Sequence, residues 1–192
     1  MFLICSHRVA TDPLDREFEK EGKVNQMTRV ANRTAPAPYA GEPGAVIRRQ
    51  GSELEMVNLN WGLRPSDGAG RPFTTVRAEG RTFPSHRCLL PASEFTLEHK
   101  RDRWRFTLAD RDHFYFAGIW RPASRDWPES YAILTTEANE EVAPFRERQM
   151  AAILRRDRYA WLNHDVPEAD LLRPLPARTF QAEAEGAPRS LL

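Results

Sequence analysis

Five arginines, Arg64, Arg71, Arg77, Arg81 and Arg87, recur through a stretch that also holds Trp61 and Phe73. Guanidinium groups pair with phosphate oxygens in a planar fork, and aromatic rings stack on nucleobases. Such interleaving therefore suits a nucleic-acid strand held by its backbone. The same pattern also describes a solvated surface over core aromatics, and Trp61, Trp120 and Trp161 are expected in the core. Arg155-Arg156-Asp157-Arg158 reads as an exposed helix start rather than a nucleic-acid contact. The two cysteines, Cys5 and Cys88, stand alone, without Cys-x-x-Cys spacing or nearby paired histidines. This pattern predicts neither a zinc site nor a disulfide framework, and it suits a reducing cytoplasm. Walker, dinucleotide-binding, His-Glu-x-x-His and Gly-x-Ser-x-Gly motifs are all absent, and no cofactor is expected.

A scaffold must hold these groups. The chain has 192 residues, enough for one domain with a real core. A single domain is expected over residues 1–180, with residues 181–192 as a frayed tail. The net charge of +1 says little about partners, so nucleic-acid binding would require a local basic patch. Met1 to Cys5 is apolar but stops at Ser6-His7-Arg8, short of the roughly 7–15 residues of a secretory core segment. No run approaches the ~18 apolar residues of a membrane helix. A monomer without a membrane partner is expected.

Phe2 to Val9 could be a short strand, Asp12 to Lys23 a surface helix, and Asn25 to Gly44 an extended loop rich in Pro, Ala and Gly. Ala45 to Arg48 and Leu54 to Leu59 look like a hairpin turning at Gln50-Gly51-Ser52. Cys88-Leu89-Leu90 and Tyr131 to Thr135 read as strands. Trp104 to Leu108 and His113 to Trp120 read as two antiparallel strands with Asp110-Arg111-Asp112 as their turn. A helix is expected to follow Thr135-Thr136, carrying Val142 and broken by Pro144. Arg158 to Leu162 and Pro167 to Leu172 form two more short helices, the second with Pro at its first helical position. The expected class is α+β: a mostly antiparallel, barrel-like sheet flanked by short helices.

The order of several segments carries more than any one of them. After Cys5 come Asn32-Arg33-Thr34-Ala35-Pro36, Trp61-Gly62 and Thr75-Val76-Arg77-Ala78-Glu79. Arg87 to Phe95 (RCLLPASEF), Tyr115 to Trp120 (YFAGIW), Ala132 to Asn139 (AILTTEAN) and Arg146-Glu147-Arg148-Gln149 follow. Over about four fifths of the chain this resembles the SOS response-associated peptidase (SRAP) family. The resemblance implies a DNA-damage protein that senses abasic sites in single-stranded DNA and crosslinks to them, with autopeptidase character. In the family an N-terminal cysteine offers its α-amine and thiol together. The amine forms an imine with the abasic aldehyde, and the thiolate closes on it to a thiazolidine. An Asn, a Glu and a His position the aldehyde and move protons.

Carried over position by position, the resemblance places the nucleophile at Cys5, behind Phe2-Leu3-Ile4. Unless Met1 to Ile4 are removed, Cys5 has no free amine; a small buried residue in a first strand is the alternative. His7 would share a strand face with Cys5. The family's Asn falls on Thr75, with Arg77 and Glu79 retained. Thr75 keeps hydrogen-bonding capacity without an amide fork, and Arg77 suits phosphate or a structural contact with Glu79. The family's Glu falls on Leu97. Glu94 and Glu98 are the nearby carboxylates, and either replaces the acid only if the strand slips or bulges. The family's His falls on Arg146, which cannot act as a base at neutral pH but can bind phosphate. The expected catalytic set is thus Cys5, Glu94 and Glu98, and the expected DNA contacts are Arg64, Arg71, Thr75, Arg77 and Arg146. A catalytically degenerate relative that binds single-stranded DNA non-covalently is the alternative, and a family fold kept for another interaction is the third reading.

Overall fold

The computed structural model describes residues 2–3, 41–66, 68 and 70–185. Cys5, His7, the expected helix over Asp12 to Lys23 and nearly all of the expected loop before Gly44 lie outside the described residues. The expected first strand is described only as β1, Phe2–Leu3.

Short apolar strands build most of the rest, several of them buried on both faces. β2 (Pro43–Gln50) and β3 (Glu53–Trp61) form the expected hairpin around Gly51, which takes a left-handed φ of 63° in the turn. They are followed by β4 (Thr75–Arg77), β5 (Arg87–Ala92), β6 (Glu94–His99), β7 (Asp102–Leu108) and β8 (Phe114–Arg121). Then come β9 (Ser130–Glu137), β10 (Arg148–Met150) and β11 (Ala152–Leu154). A 3₁₀ turn, Arg155–Asp157, leads into α1 (Arg158–Asn163) and α2 (Glu168–Leu171), and β12 (Phe180–Glu185) ends the described chain.

Two sheets result. A four-stranded antiparallel sheet runs β1-β6-β7-β12. An eight-stranded sheet runs β10-β9-β3-β2-β5-β8-β11, with β4 on β9, and the additional β8–β9 pairing closes β9, β3, β2, β5 and β8 into a ring. β3 and β4 both pair with β9 in parallel. The expectation of a mostly antiparallel, barrel-like sheet flanked by short helices holds in part: the fold is strand-rich with short helices and its large sheet is ring-like, but the two parallel pairs make that sheet mixed. The parallel pairs follow from the long connections between their partners, because a parallel neighbour cannot be reached through a tight turn.

The two faces of the ring strands separate the core. Val46, Leu59, Cys88, Leu90, Phe116, Tyr131 and Ile133 pack with Phe95, Leu97 and Phe106 of the smaller sheet. Ile47, Leu89, Ala117, Ala132, Leu134 and Ile153 cluster on the other face with Trp161 of α1. Packing is tight at Gly118, where a Cβ would meet Cys88 Sγ and Leu90 Cδ1 at 2.9 Å. Arg48, buried, lies 4.1 Å from the Trp120 ring and pairs with Glu55 and Glu129, joining the hairpin to the segment that enters β9.

Other expectations change as well. The strands flanking Asp110-Arg111-Asp112 do not pair with each other: β7 lies between β6 and β12, and β8 between β5, β9 and β11. The reason is exposure. β7 alternates half-buried Arg103 and Arg105 with buried Phe106 and Leu108, whereas β8 is buried from Phe114 to Ile119 and needs cover on both faces. No helix follows Thr136, because β9 runs on to Glu137 and residues 140–145 are turns. The Asn139 side chain accepts from the Val142 N–H, and Pro144 can donate nothing to a helix. Finally, residues 181–185 of the expected frayed tail form β12, and Arg158 of the expected exposed helix start is buried. α1 and α2 stand where helices were expected, with Pro167 at the N-cap of α2 rather than inside it.

Candidate nucleic-acid groove

The connection from β3 to β4 is fixed at its first residue. Gly62 adopts φ +127°, and a Cβ there would come within 2.5 Å of Pro72 Cβ, so only glycine fits. Its N–H donates to the Tyr131 carbonyl at 2.8 Å, and its own carbonyl accepts from Trp127 Nε1 at 3.2 Å. Beyond it, Leu63 and Phe73 exchange two backbone hydrogen bonds of 3.0 Å, closing a loop between them. Phe73, 50% exposed, is the exposed large apolar side chain among the described residues.

This loop forms one lip of an open groove of about 1150 Å³. β4 supplies Thr75 and Arg77, the following connection supplies Arg81, and the end of β8 supplies Arg121, with Trp127 beyond. Arg64 lies on the lip itself. None of the described lining residues is acidic, so four guanidinium groups set the sign of the field. Two carboxylates flank it. Asp126 lies 4.0 Å from Arg64, both well exposed, a contact too long and too wet to hold the cation. Glu79 lies 3.8 Å from Arg77 but is held more closely elsewhere: Arg148 Nη2 at 2.7 Å and the Glu137 N–H at 2.9 Å both donate to it. Partial burial pushes the Glu79 carboxyl up, but the hydrogen bond from Arg148 and further donors, its own backbone among them, outweigh this and leave it below the usual value. Arg77, 66% exposed, keeps its guanidinium largely open to solvent.

Of the expected DNA contacts, Arg64, Thr75 and Arg77 thus share one groove. Arg71 is exposed on the same loop but does not line the groove, and Arg146 follows the 140–145 turn elsewhere, half-buried. Arg87 does not belong to the cationic surface at all: it is 4% exposed and paired with Glu168 at 2.8 Å. Trp61 is buried, its indole N–H donating to the Thr74 carbonyl at 2.9 Å, so of the two aromatics only Phe73 reaches solvent. Glu94 and Glu98 lie on β6 in the smaller sheet, away from the groove lining. Glu94 is half-buried and Glu98 exposed, with Leu97 between them pointing into the core at 1% exposure. β6 is regular through these positions, pairing Glu94 with Thr107 and Glu98 with Arg103, so no bulge turns either carboxylate toward the Leu97 face. Cys88 is fully buried, and burial pushes its thiol far above the usual value. Arg121 and Trp127 were not anticipated. Arg121 closes the YFAGIW strand, where alternation places it on the face of Ile119, and this was the available signal.

Comparison with known proteins places this geometry in a family. Residues 4–185 match the family described as SOS response associated peptidase (SRAP). The chain is 28% identical over 149 residues to the abasic site processing protein YoaM of Bacillus subtilis; the match covers 67% of this chain and spans 66% of that relative's length. Three solved structures share the fold. A protein from Bordetella bronchiseptica matches with a TM-score of 0.69 and 20% identity, over 96% of this chain and 99% of its own. A protein from Bacteroides thetaiotaomicron matches with a TM-score of 0.70 and 17% identity, over 94% and 90%. A phage-related protein, also from Bordetella bronchiseptica, matches with a TM-score of 0.63 and 19% identity, over 96% and 93%. With the match running across almost the whole chain, the protein belongs to the SOS response associated peptidase family.

Proposed function

We propose that this protein is a DNA-damage protein that takes single-stranded DNA into the arginine-lined groove and senses abasic sites there. The observation that carries the reading is the pairing of four groove arginines, with no acid among the described lining residues, with the exposed ring of Phe73 at the lip. Arg64, Arg77, Arg81 and Arg121 would grip successive phosphates while Phe73 stacks on a base. Thr75, beside Arg77, would hydrogen-bond the sugar or phosphate. Arg71 and Arg146, outside the groove lining, would extend the backbone contact. Family membership and the likeness to an abasic site processing protein support the abasic site as the lesion.

Covalent capture would fall to Cys5. Cleavage of the Ile4–Cys5 bond by water would free the amine, which condenses with the aldehyde and releases water. The thiolate then adds to the imine carbon as the nitrogen takes a proton, completing a thiazolidine. Glu94 and Glu98 would be the carboxylates available for proton transfer.

The second reading is non-covalent binding alone, and two observations favour it. Leu97, where the family pattern has its acid, is sealed in the apolar cluster. Phe2 and Leu3 pair with Leu97 and Thr96 of β6, so removing Met1 to Ile4 would strip a strand from the smaller sheet.

Incubation with single-stranded DNA carrying one abasic site, read on a denaturing gel alongside intact mass, separates the two. A DNA-linked band that disappears in Cys5→Ala, on protein whose mass lacks Met1 to Ile4, supports covalent capture. Salt-sensitive binding with no linked band supports the second reading. Absence of any binding refutes both.

A further inference from the structure

The wall of the groove that carries Arg81, Thr82 and Phe83 belongs to the connection between β4 and β5 and has no strand pairing of its own. Its start is held by a 3.2 Å bond from the Arg81 N–H to the Ala78 carbonyl. Beyond Arg81 it is held by side chains at Phe83 and by one backbone bond at its last residue, where the His86 carbonyl accepts from the Trp120 N–H at 2.8 Å. The Phe83 N–H donates to Glu168 Oε1 of α2 at 2.9 Å, and the Phe83 carbonyl accepts from Arg87 Nε at 2.8 Å. Arg87 also donates through Nη2 to the same Glu168 oxygen at 2.8 Å and through Nη1 to the Trp161 carbonyl at 3.1 Å. Its guanidinium lies 4.4 Å from the Trp161 ring, and the Phe83 ring meets Trp161 edge-on at 6.4 Å.

A single carboxylate therefore does two things. It compensates Arg87, a cation too buried to be left alone, and it accepts the Phe83 N–H in a stretch without strand pairing. We propose that Glu168 is a positioning residue for the groove, holding from a distant helix the wall that presents Arg81 to a phosphate. This rests on the nucleic-acid reading of the groove. Glu168 itself does not line the groove, so its influence on binding must pass through the wall.

Binding of an oligothymidylate across a salt series, for wild type, Arg81→Ala, Glu168→Ala, Glu168→Gln and the Arg81→Ala/Glu168→Ala double variant, tests the idea. Hydrogen exchange on the free proteins accompanies it. Glu168→Ala should bind roughly five- to tenfold more weakly and lose about one unit of salt slope, as Arg81→Ala does. The double variant should lose no more than Arg81→Ala alone, and Glu168→Gln, which keeps the acceptor oxygen, should rescue most of the loss. Amide exchange should quicken at 81–85 in Glu168→Ala but not at 124–130 across the groove. Where Glu168→Ala does not fold, Glu168→Asp keeps the charge but shortens the reach to Phe83, and it should show the same loss of slope. Wild-type slope in the folded variant, additive losses in the double, or exchange rising equally on both walls would overturn the proposal. A wild type that binds no oligothymidylate refutes the groove reading instead, and the exchange contrast still decides whether Glu168 holds the wall.

Discussion

The groove and the stretch of β6 around Leu97 are built on opposite arrangements of charge and burial. In the groove, charge remains on the surface: Arg64, Arg77, Arg81 and Arg121 line a space without a described acid, and Phe73 stands half out of it. At β6, Leu97 is packed with Phe95 and Phe106, and its carboxylate neighbours Glu94 and Glu98 face the other way. Holding a strand requires only exposed cations and a ring, which tolerate substitution. Moving a proton requires an ionisable group at one atom, and at Leu97 that point is core. The two regions therefore depend on different things, exposed charge in the groove and burial at Leu97.

The contrast breaks most sharply at Leu97. Placing a carboxylate there with Leu97→Glu buries a charge among aromatic rings and should cost about 3–5 kcal/mol, read as a fall in the urea midpoint. Near-wild-type stability would mean that the position still opens to solvent and that the contrast is false. Gly62→Ala comes next. Its Cβ collides with Pro72 in a backbone region that disfavours side chains, so about 2–3 kcal/mol and much of the binding should go, measured by thermal melting and DNA titration. In the groove, Arg77→Ala and Arg121→Ala should each weaken single-stranded DNA binding and lower the salt slope by about one unit, with little change in melting temperature.

Acid sharpens the picture further. The Glu79 carboxyl sits below its usual value of 4.5 when folded, so its stabilising contribution is present above that value and is lost as pH falls through the folded one. The stability gap between wild type and Glu79→Gln should therefore narrow steadily from pH 6 to pH 3 in denaturation series. The smallest effect belongs to Glu98→Gln. On an exposed face beside Arg103 it should shift stability by less than about 0.5 kcal/mol, and under the non-covalent reading DNA binding should not move.

Much of this was legible in the residues. Apolar runs marked the β2–β3 hairpin, β5, β8 and β9, whereas the strand over Thr75-Val76-Arg77 that sets two groove side chains on one face was not read from the sequence. What such runs do not carry is which sheet a strand joins. β7 and β8 look alike as apolar runs around a turn, and only the burial of both faces of β8 sends it to the ring. The acidic turn after Glu137 mimics a helix because its backbone makes a few helix-like bonds, to Asn139 and to Val142, without continuing into a regular helix. Arg87 reads as one more groove cation, since nothing near it in sequence reveals a partner on α2. Arg121 and Trp127 enter the groove only because β4 and β8 both pair with β9, which brings the end of β8 and the turn after it to the same groove as β4.

Ring closure also sets an order of events on the ribosome. Asn60 pairs with Ser130 and Thr75 with Ile133, so the lip and the β4 wall are synthesised well before the strand they rest on. Until β9 emerges, the β2–β3 hairpin is a sheet fragment with an unfilled parallel edge, and Gly62 has no Tyr131 carbonyl to meet. Such late, long-range pairings slow folding and leave apolar strands waiting. A nascent chain stalled before Ser130 would hold every groove arginine and present no groove.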